Sequence, residues 1–362
     1  MGLTGDATAD AGRAKQSLGR VCLALGWVPV LLLVPLAIAG PEIPPTYRYV
    51  PLVASVALFG MPHGAVDYVA GPRASTGTVS LRGVGLVVLL YFLLGGAYLV
   101  LWFLAPVPAA LFFVLLTWFH WGQGDLYAVR GLFGTVHVDD SLQAGLTVLV
   151  RGGLPMLVSL LGFPERYRAV VESFVGPFGA NVQGLALFDA GPRVVLGVGF
   201  ALVTLLMLAR GYRRARRHDA AATDSTGAPG SDSPIRGWGT DAAETVLLWM
   251  YFLVVPPVLA VGVYFCLWHS LRHIARVVLL DPASVEALSR DRWARPTGKF
   301  ALEAAVPTVL ALGLVGLLWV AVPGSVDTLA GATGLYLVGI AVLTLPHTAV
   351  VLWLDREQRV WP

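Results

Sequence analysis

The sequence predicts an all-α, polytopic membrane protein of about ten spans that holds a buried histidine metal site. Hydrophobic residues make up 56% of the 362 residues and charged residues only 13%, whereas soluble domains carry roughly 25% charged residues. Apolar stretches of about 20 residues, long enough to cross a hydrocarbon core roughly 30 Å thick, recur from Val21 nearly to the C-terminus. We therefore expect residues 1–362 to form a single integral domain of the cell membrane.

Ten apolar segments are the candidate spans. The first follows a basic N-terminus, but it runs the full length of a span and lacks a clear small-residue cleavage site. We therefore interpret it as a retained helix and not as a signal peptide. In chain order the segments are residues 21–39, 49–69, 83–104, 108–129, 142–162, 193–209, 244–255, 258–279, 301–322 and 328–354.

The seventh segment, residues 244–255, leaves a second topology open. It is short and is separated from the eighth by Pro256 and Pro257, which is typical of a half-helix buried against its neighbours. Alternatively, residues 244–279 form one kinked helix roughly 50 Å long at 1.5 Å per residue, which gives nine spans. The basic residues of the 281–299 loop favour a cytoplasmic position for it and therefore ten spans.

Residues 213–239 are expected to form a flexible loop, because they are rich in Ser, Asp, Gly, Pro and Arg and can bury little apolar area. The basic cluster at 210–217 predicts that this loop is cytoplasmic. Arg13, Lys15 and Arg20 predict the same side for the N-terminus, six spans away. The formal charge of +3 is therefore an orientation signal and does not indicate nucleic-acid binding.

Five of the seven histidines lie in apolar spans, where ionisable residues are costly and usually functional. In the ten-span topology they belong to the second, fourth, eighth and tenth spans, which cross the bilayer in the same direction. Each histidine follows the start of its span by about 12 to 20 residues, so all five are expected in one layer. There they can converge on a single ion. They are His63, His120, His269, His273 and His347.

The pair His269 and His273 is the strongest local indication of a metal. The two residues are four apart, so both imidazoles face the same side of a helix. Neutral imidazole suits iron, zinc or copper. Cys22 and Cys266 both lie in apolar segments and supply neither a CxxC site nor a disulfide framework. Without a thiolate cluster, the donor set favours redox iron or copper.

Two aspartates and the last histidine are candidates for supporting positions. Asp67 follows His63 by four residues and Asp125 follows His120 by five. Each is expected to accept a hydrogen bond from the outer ring nitrogen and to fix the tautomer of its histidine. His347 is expected either to bind the metal or to donate a hydrogen bond beside it. A single membrane histidine is as often the donor of an interhelical hydrogen bond as a metal ligand. The prediction of a metal site therefore rests on the whole cluster of histidines.

Aromatic residues at the depth of the histidines are candidates for the wall of a substrate tunnel, although such residues more often serve packing or interface belts. Arg151 lies inside the fifth span, where a functional role and a structural ion pair are both open. The tunnel candidates are Trp118, Trp121, Tyr264 and Trp268.

Four short segments occur in the order PHGAVD, HWGQGD, HSLRH and LPHT. Together they make the chain resemble the Brp/Blh family of membrane β-carotene 15,15′-dioxygenases, the bacteriorhodopsin-related proteins, over most of its membrane region. The resemblance implies that His63, His120, His269 and His273 bind one Fe(II). The loop at 213–239 is not part of the family's pattern.

The resemblance also implies an activity. It is the O₂-dependent cleavage of the central 15,15′ double bond of β-carotene, which gives two molecules of all-trans retinal. The substrate would reach the protein from membrane lipid, and a retinal-binding opsin would be a partner for the product.

Other functions make different predictions. A non-enzymatic assembly factor or transporter for a retinal protein would use the polar residues for conduction or helix association and would need neither metal nor O₂. Di-metal membrane desaturases use about eight histidine ligands, which is more than the spans supply. A bis-histidine haem site needs facing histidine pairs on two helices, which an HxxxH pair on one helix does not provide.

Overall fold

A computed structural model of the chain describes residues 3–226, 233–322 and 328–362. Within these ranges the chain is helical and contains no strand, so the all-α prediction is confirmed. Eight of its helices are long and apolar enough to cross a membrane. The chain is therefore a multi-pass membrane protein.

The long helices correspond to the ten predicted segments, and two shorter helices lie between them. Of the ten, the helices Pro106–Tyr127 and Pro234–Val254 have spanning length, with 22 and 21 residues, but are not among the eight that are also apolar enough. In chain order the helices are α1 (Leu3–Ala39), α2 (Pro45–Thr76), α3 (Leu81–Leu104), α4 (Pro106–Tyr127), α5 (Ser141–Gly162), α6 (Pro164–Val175), α7 (Ala190–Thr226), α8 (Pro234–Val254), α9 (Pro257–Val278), α10 (Pro282–Ser289), α11 (Ala294–Ala321) and α12 (Leu329–Glu357).

The structure corrects the extent of two predicted segments. Residues 244–255 are the second half of a full helix, because α8 begins at Pro234, a residue well suited to the first helical position. It is separate from α9, since Val255 is extended before the two prolines. The loop predicted at 213–239 is shorter than expected: α7 continues to Thr226 because its Arg- and Ala-rich sequence favours helix. Residues 227–232 lie outside the described ranges.

Backbone contact between α4 and α5 forms the closest helix crossing near the histidines. A Cβ atom on Gly122 would collide with the carbonyl oxygen of Val148, and one on Gly152 would collide with that of Trp118. Only glycine therefore permits this approach, as small residues do at many membrane helix interfaces. The crossing fixes α4 within two residues of His120.

Several helices depart from α geometry close to the polar residues of the core. π-helical turns occur at Tyr91–Gly95 in α3, at Leu154–Val158 in α5 and at Phe265–Ser270 in α9, and the last of these contains His269. In α2 the segments Gly60–Ala65 and Asp67–Thr76 are separated at Val66. Such turns change the direction of the side chains that follow them and often mark functional sites.

Candidate metal centre

All five membrane histidines meet in the interior of the bundle. They come from α2, α4, α9 and α12, and each side chain is buried. The structure therefore brings the five side chains together, and α9 contributes two of them one turn apart. Ring centroids lie 4.7 Å apart for His120 and His347, 4.8 Å for His120 and His269, 4.9 Å for His63 and His347, 5.0 Å for His273 and His347, 5.3 Å for His63 and His269, and 5.5 Å for His63 and His273.

Some of the ring nitrogens lie as close together as ligands of a common ion, but among the described residues no such group contains all four of His63, His120, His269 and His273. One ligand nitrogen from each of His63, His120 and His347 lies within 4.8 Å of the other two. Nε2 of His120 lies 3.1 Å from Nε2 of His269. This is close to the separation of about 3 Å expected for neighbouring ligands at metal–nitrogen distances of 2.0–2.1 Å. Within the described part of the chain, Nε2 of His273 and Nε2 of His347 are buried without a hydrogen-bond partner.

His63 is held by its own helix. Its Nδ1 contacts the carbonyl oxygen of Gly60, which accepts a hydrogen bond from it, and the hydroxyl of Ser270 lies 3.4 Å away. In a neutral imidazole the nitrogen that does not donate carries the lone pair. Nε2 of His63 is therefore the nitrogen available to a metal.

His347 is oriented by a chain of two hydrogen bonds. Its Nδ1 donates to Oδ2 of Asp67 at 2.8 Å, and the hydroxyl of Tyr91 donates to the same oxygen at 2.6 Å. The unpartnered Nε2 of His347 then faces the other histidines. Asp67 also forms a second group of closely spaced ligand atoms with His273 and His347, and its Oδ1 is buried without a partner.

Asp67 therefore lies at the site but does not pair with the histidine expected from its spacing. The prediction placed it beside His63, four residues earlier on the same helix, whereas its imidazole partner is His347 of α12. The helix is interrupted at Val66, between the two residues. The four-residue rule applies only to a continuous helix, so Asp67 turns toward α3 and α12 instead.

Asp125 was expected beside His120 and is instead part of a buried network of charges. Its carboxylate accepts from Nη1 of Arg272 at 2.9 Å and lies 3.0 Å from Nε of Arg151. Glu244 of α8 also pairs with both arginines, and Nε1 of Trp268 donates to Asp125 at 3.2 Å. All four charged side chains are buried, so Arg151 belongs to a structural set of ion pairs.

A largely apolar cavity of about 730 Å³ adjoins the histidines, within the usual size range of ligand pockets. His63, His120, His269 and His347 form part of its wall. The remaining wall comes from α2, α3, α4, α5, α6, α9, α11 and α12 and includes Val87, Phe113, Trp121, Phe174, Phe265 and Leu337.

Of the four aromatic tunnel candidates, Trp121 alone lines this cavity. It stacks on Phe265, and its ring centroid lies 5.6 Å from that of His269. Trp118 faces α5, where its Nε1 donates to the carbonyl of Leu149 at 2.7 Å. Tyr264 and Trp268 stack on each other beside the buried charge network. These three residues pack helices together and do not face the cavity.

Tyr91 is the residue at this site that the sequence pattern did not indicate. It lies in the third span, which contains no histidine, so no motif singles it out. Its position in a π-helical turn that faces the cavity brings its hydroxyl to Asp67.

Comparisons with known proteins agree with one another. Residues 54–355 match the family model described as β-carotene 15,15′-dioxygenase. The chain is 52% identical, over 96% of both chains, to a protein of Halobacterium salinarum named probable β-carotene 15,15′-dioxygenase Blh. It is 32% identical, over 85% of both chains, to the protein named probable β-carotene 15,15′-dioxygenase Brp from the same species. No solved structure matches the chain.

Proposed function

The chain belongs to the β-carotene 15,15′-dioxygenase family, and from this premise we propose that its histidine cluster is an iron centre that cleaves β-carotene into two molecules of retinal. The observation that carries the proposal is the meeting of five buried imidazoles beside an apolar cavity. Polar side chains at such depth are costly in a membrane, so their convergence supports a shared metal ion.

We propose that His63, His120, His269 and His273 hold the metal, with His347 completing the set. The short distance between His120 and His269 supports neighbouring ligand positions for those two residues. The free Nε2 atoms of His273 and His347 support ligation by each. The Asp67 carboxylate orients His347 and makes its ring more basic, as carboxylates commonly do for metal-bound histidine.

Fe(II) fits this donor set, because imidazole nitrogens bind it well and the buried thiols of Cys22 and Cys266 are not among the ligand groups of the described residues. When bound, it would supply the activation of O₂ that oxidative cleavage of a carbon–carbon double bond requires.

The remaining task of the protein is to position the substrate. The balanced reaction breaks the central double bond of β-carotene and gives each of its two carbons one oxygen atom, with two aldehydes as products. The polyene has no polar group to anchor, so the bond that is cleaved must be chosen by position along the cavity. Trp121 and Phe265 both line the cavity beside His269 and offer aromatic surface against which a conjugated chain can pack.

We further propose that the whole chain acts as one membrane domain, with the connection between α7 and α8 on the cytoplasmic side. The basic cluster at 210–217, in the second half of α7, supports that side. Substrate comes from membrane lipid, in which it dissolves. A retinal-binding opsin is the partner class that would accept the product.

The proposal is tested by expression in cells that accumulate β-carotene. We expect the colour to fade and retinal to appear in chromatograms with the wild-type chain. A variant in which His63, His120, His269 and His273 are all replaced by alanine should leave the carotene intact. Persistence of carotene with the iron-loaded wild-type protein would reject this substrate. A protein that binds no iron would favour the assembly-factor or transporter function.

Asp67→Asn is expected to weaken metal binding by about 10 to 100-fold, because it removes the charge that orients His347. Tyr91→Phe, which keeps the carboxylate and removes one hydrogen bond, should have a smaller effect in the same direction. The measurement is a titration of metal-depleted protein with Fe(II) under anaerobic conditions. Tyr98→Phe is a matched control, because that buried hydroxyl bonds the Ala109 carbonyl away from the cluster. Equal affinity in wild type and Asp67→Asn would show that Asp67 does not support the metal.

A further inference from the structure

The wall of the cavity includes exposed apolar residues on α3 and α11. Val88 of α3 and Leu310 of α11 both line it, and both are largely exposed, at 59% and 70%. Of the other wall residues, Val87, Phe174 and Phe265 are buried, whereas Pro45, Arg166 and Ala330, in the first turns of α2, α6 and α12, are exposed. The cavity is therefore exposed at α3 and α11 and, separately, at these helix starts.

The helices on the two sides of this opening are supported in the same way. Both α3 and α11 pack against α2 and α12, which carry His63 and His347. Val88 lies seven residues after the start of α3, which is about 10 Å along the helix at 1.5 Å per residue. This depth is within a hydrocarbon core roughly 30 Å thick. Val88 and Leu310, the two lip residues, are both aliphatic, so the opening presents apolar side chains to the lipid chains.

The opening leads directly to the candidate metal centre. Val88 and Tyr91 are three residues apart and share a face of α3. The hydroxyl of Tyr91 bonds Asp67, which in turn holds His347. A molecule that passes between Val88 and Leu310 therefore reaches Tyr91 within one helical turn, and Tyr91 is linked to His347 through Asp67.

A proline in α11 separates two halves of the helix that lines the Leu310 side of the opening. Pro307 has no N–H, so the carbonyl of Glu303 loses its helical partner. The hydroxyl of Tyr68 donates to that carbonyl at 3.1 Å, and Arg73 pairs with the Glu303 carboxylate. These bonds fix the first half of α11 to α2. The half that follows Pro307, which carries Leu310, lies against the cavity and the lipid.

We propose that the gap between Val88 and Leu310 is a lateral portal through which the carotenoid enters from the bilayer. This inference rests on the proposed function, because that function supplies a hydrocarbon occupant. A rod that dissolves in lipid has no favourable route through water, and the aliphatic lips lie at membrane depth.

The test narrows the portal with Leu310→Trp and, separately, Val88→Trp. The matched control is Leu317→Trp, which lies two turns along the same helix at 69% exposure and does not line the cavity. Metal-depleted protein is exposed briefly to liposomes that contain β-carotene, isolated again, and assayed for carotenoid by absorbance. We expect both portal variants to take up carotenoid about tenfold more slowly than wild type. A tenfold change in rate corresponds to a modest rise in the barrier to entry. The control should load at the wild-type rate.

The same three variants are then supplied with Fe(II) and O₂, and kcat/KM for β-carotene in liposomes is compared at equal iron content. The portal variants should lose kcat/KM in proportion to their loading rates. Loading and turnover equal to those of Leu317→Trp would overturn the portal. A wild-type protein that loads carotenoid but forms no retinal would overturn the proposed reaction, while the loading rates still decide the portal. A wild-type protein that does not load would overturn both.

Discussion

Replacing His269 or His273 by alanine is expected to abolish iron binding and retinal formation while leaving a folded protein in the membrane. Each residue supplies an imidazole to the buried cluster, and in the proposed ligand set no other residue is left to replace it. The loss of metal affinity should exceed the 10 to 100-fold typical of residues that only orient ligands. Iron per mole of purified protein and retinal by chromatography are the two measurements.

His218→Ala is the matched control for this prediction. His218 belongs to α7, pairs with Asp139 at 2.7 Å and is 41% exposed, so its loss should change neither iron content nor turnover. Size-exclusion profiles of the three variants separate a lost ligand from a lost fold. Turnover retained in both His269→Ala and His273→Ala would contradict the proposed ligand set.

Arg272→Met is expected to have the largest effect on stability, with a loss of about 3–5 kcal/mol in the free energy of unfolding. Arg272 faces Asp125 and Glu244 in the membrane interior, and all three side chains are buried. Removal of the guanidinium leaves the two carboxylates with Arg151 as their one remaining shared cation among the described residues. Thermal unfolding in detergent measures the change.

The control for this prediction is Arg290→Met. Arg290 pairs with Glu286 on the surface, where both side chains are more than half exposed, and such pairs contribute about 0.2–1 kcal/mol. The two substitutions remove the same group, so the difference between them reports burial. Similar melting temperatures in the two variants would show that the buried network does not stabilise the fold.

The positions of the histidines could be predicted from sequence because depth in a membrane follows from counting residues along a helix. The second, fourth, eighth and tenth segments begin on the same side, and a rise of 1.5 Å per residue places their histidines in one layer. His347 could not be placed further, because the choice between ligand and supporting donor depends on the rotation of α12. The structure turns its Nε2 inward and its Nδ1 to Asp67.

The partners of the two aspartates could not be predicted from spacing alone. Asp125 follows His120 by five residues, which on a regular helix turns it about 140° away from the histidine and toward α5 and α9. There it meets Arg151 and Arg272, which belong to distant parts of the sequence. The same rotation explains Trp118, which lies on the α5 side of α4, whereas Trp121 faces the cavity.

The glycine crossing of α4 and α5 has a consequence for substrate range. Backbone contact at Gly122 and Gly152 makes the side of the bundle that holds His120 stiff, since neither helix can yield without breaking that contact. Another part of the cavity wall belongs to α11, which is the least buried of the eight apolar helices. Its half that follows Pro307 borders lipid and can therefore give way to a long guest, while the crossing holds His120 in place. We expect such a protein to be strict about which bond it cuts and tolerant of changes at the two ends of the molecule.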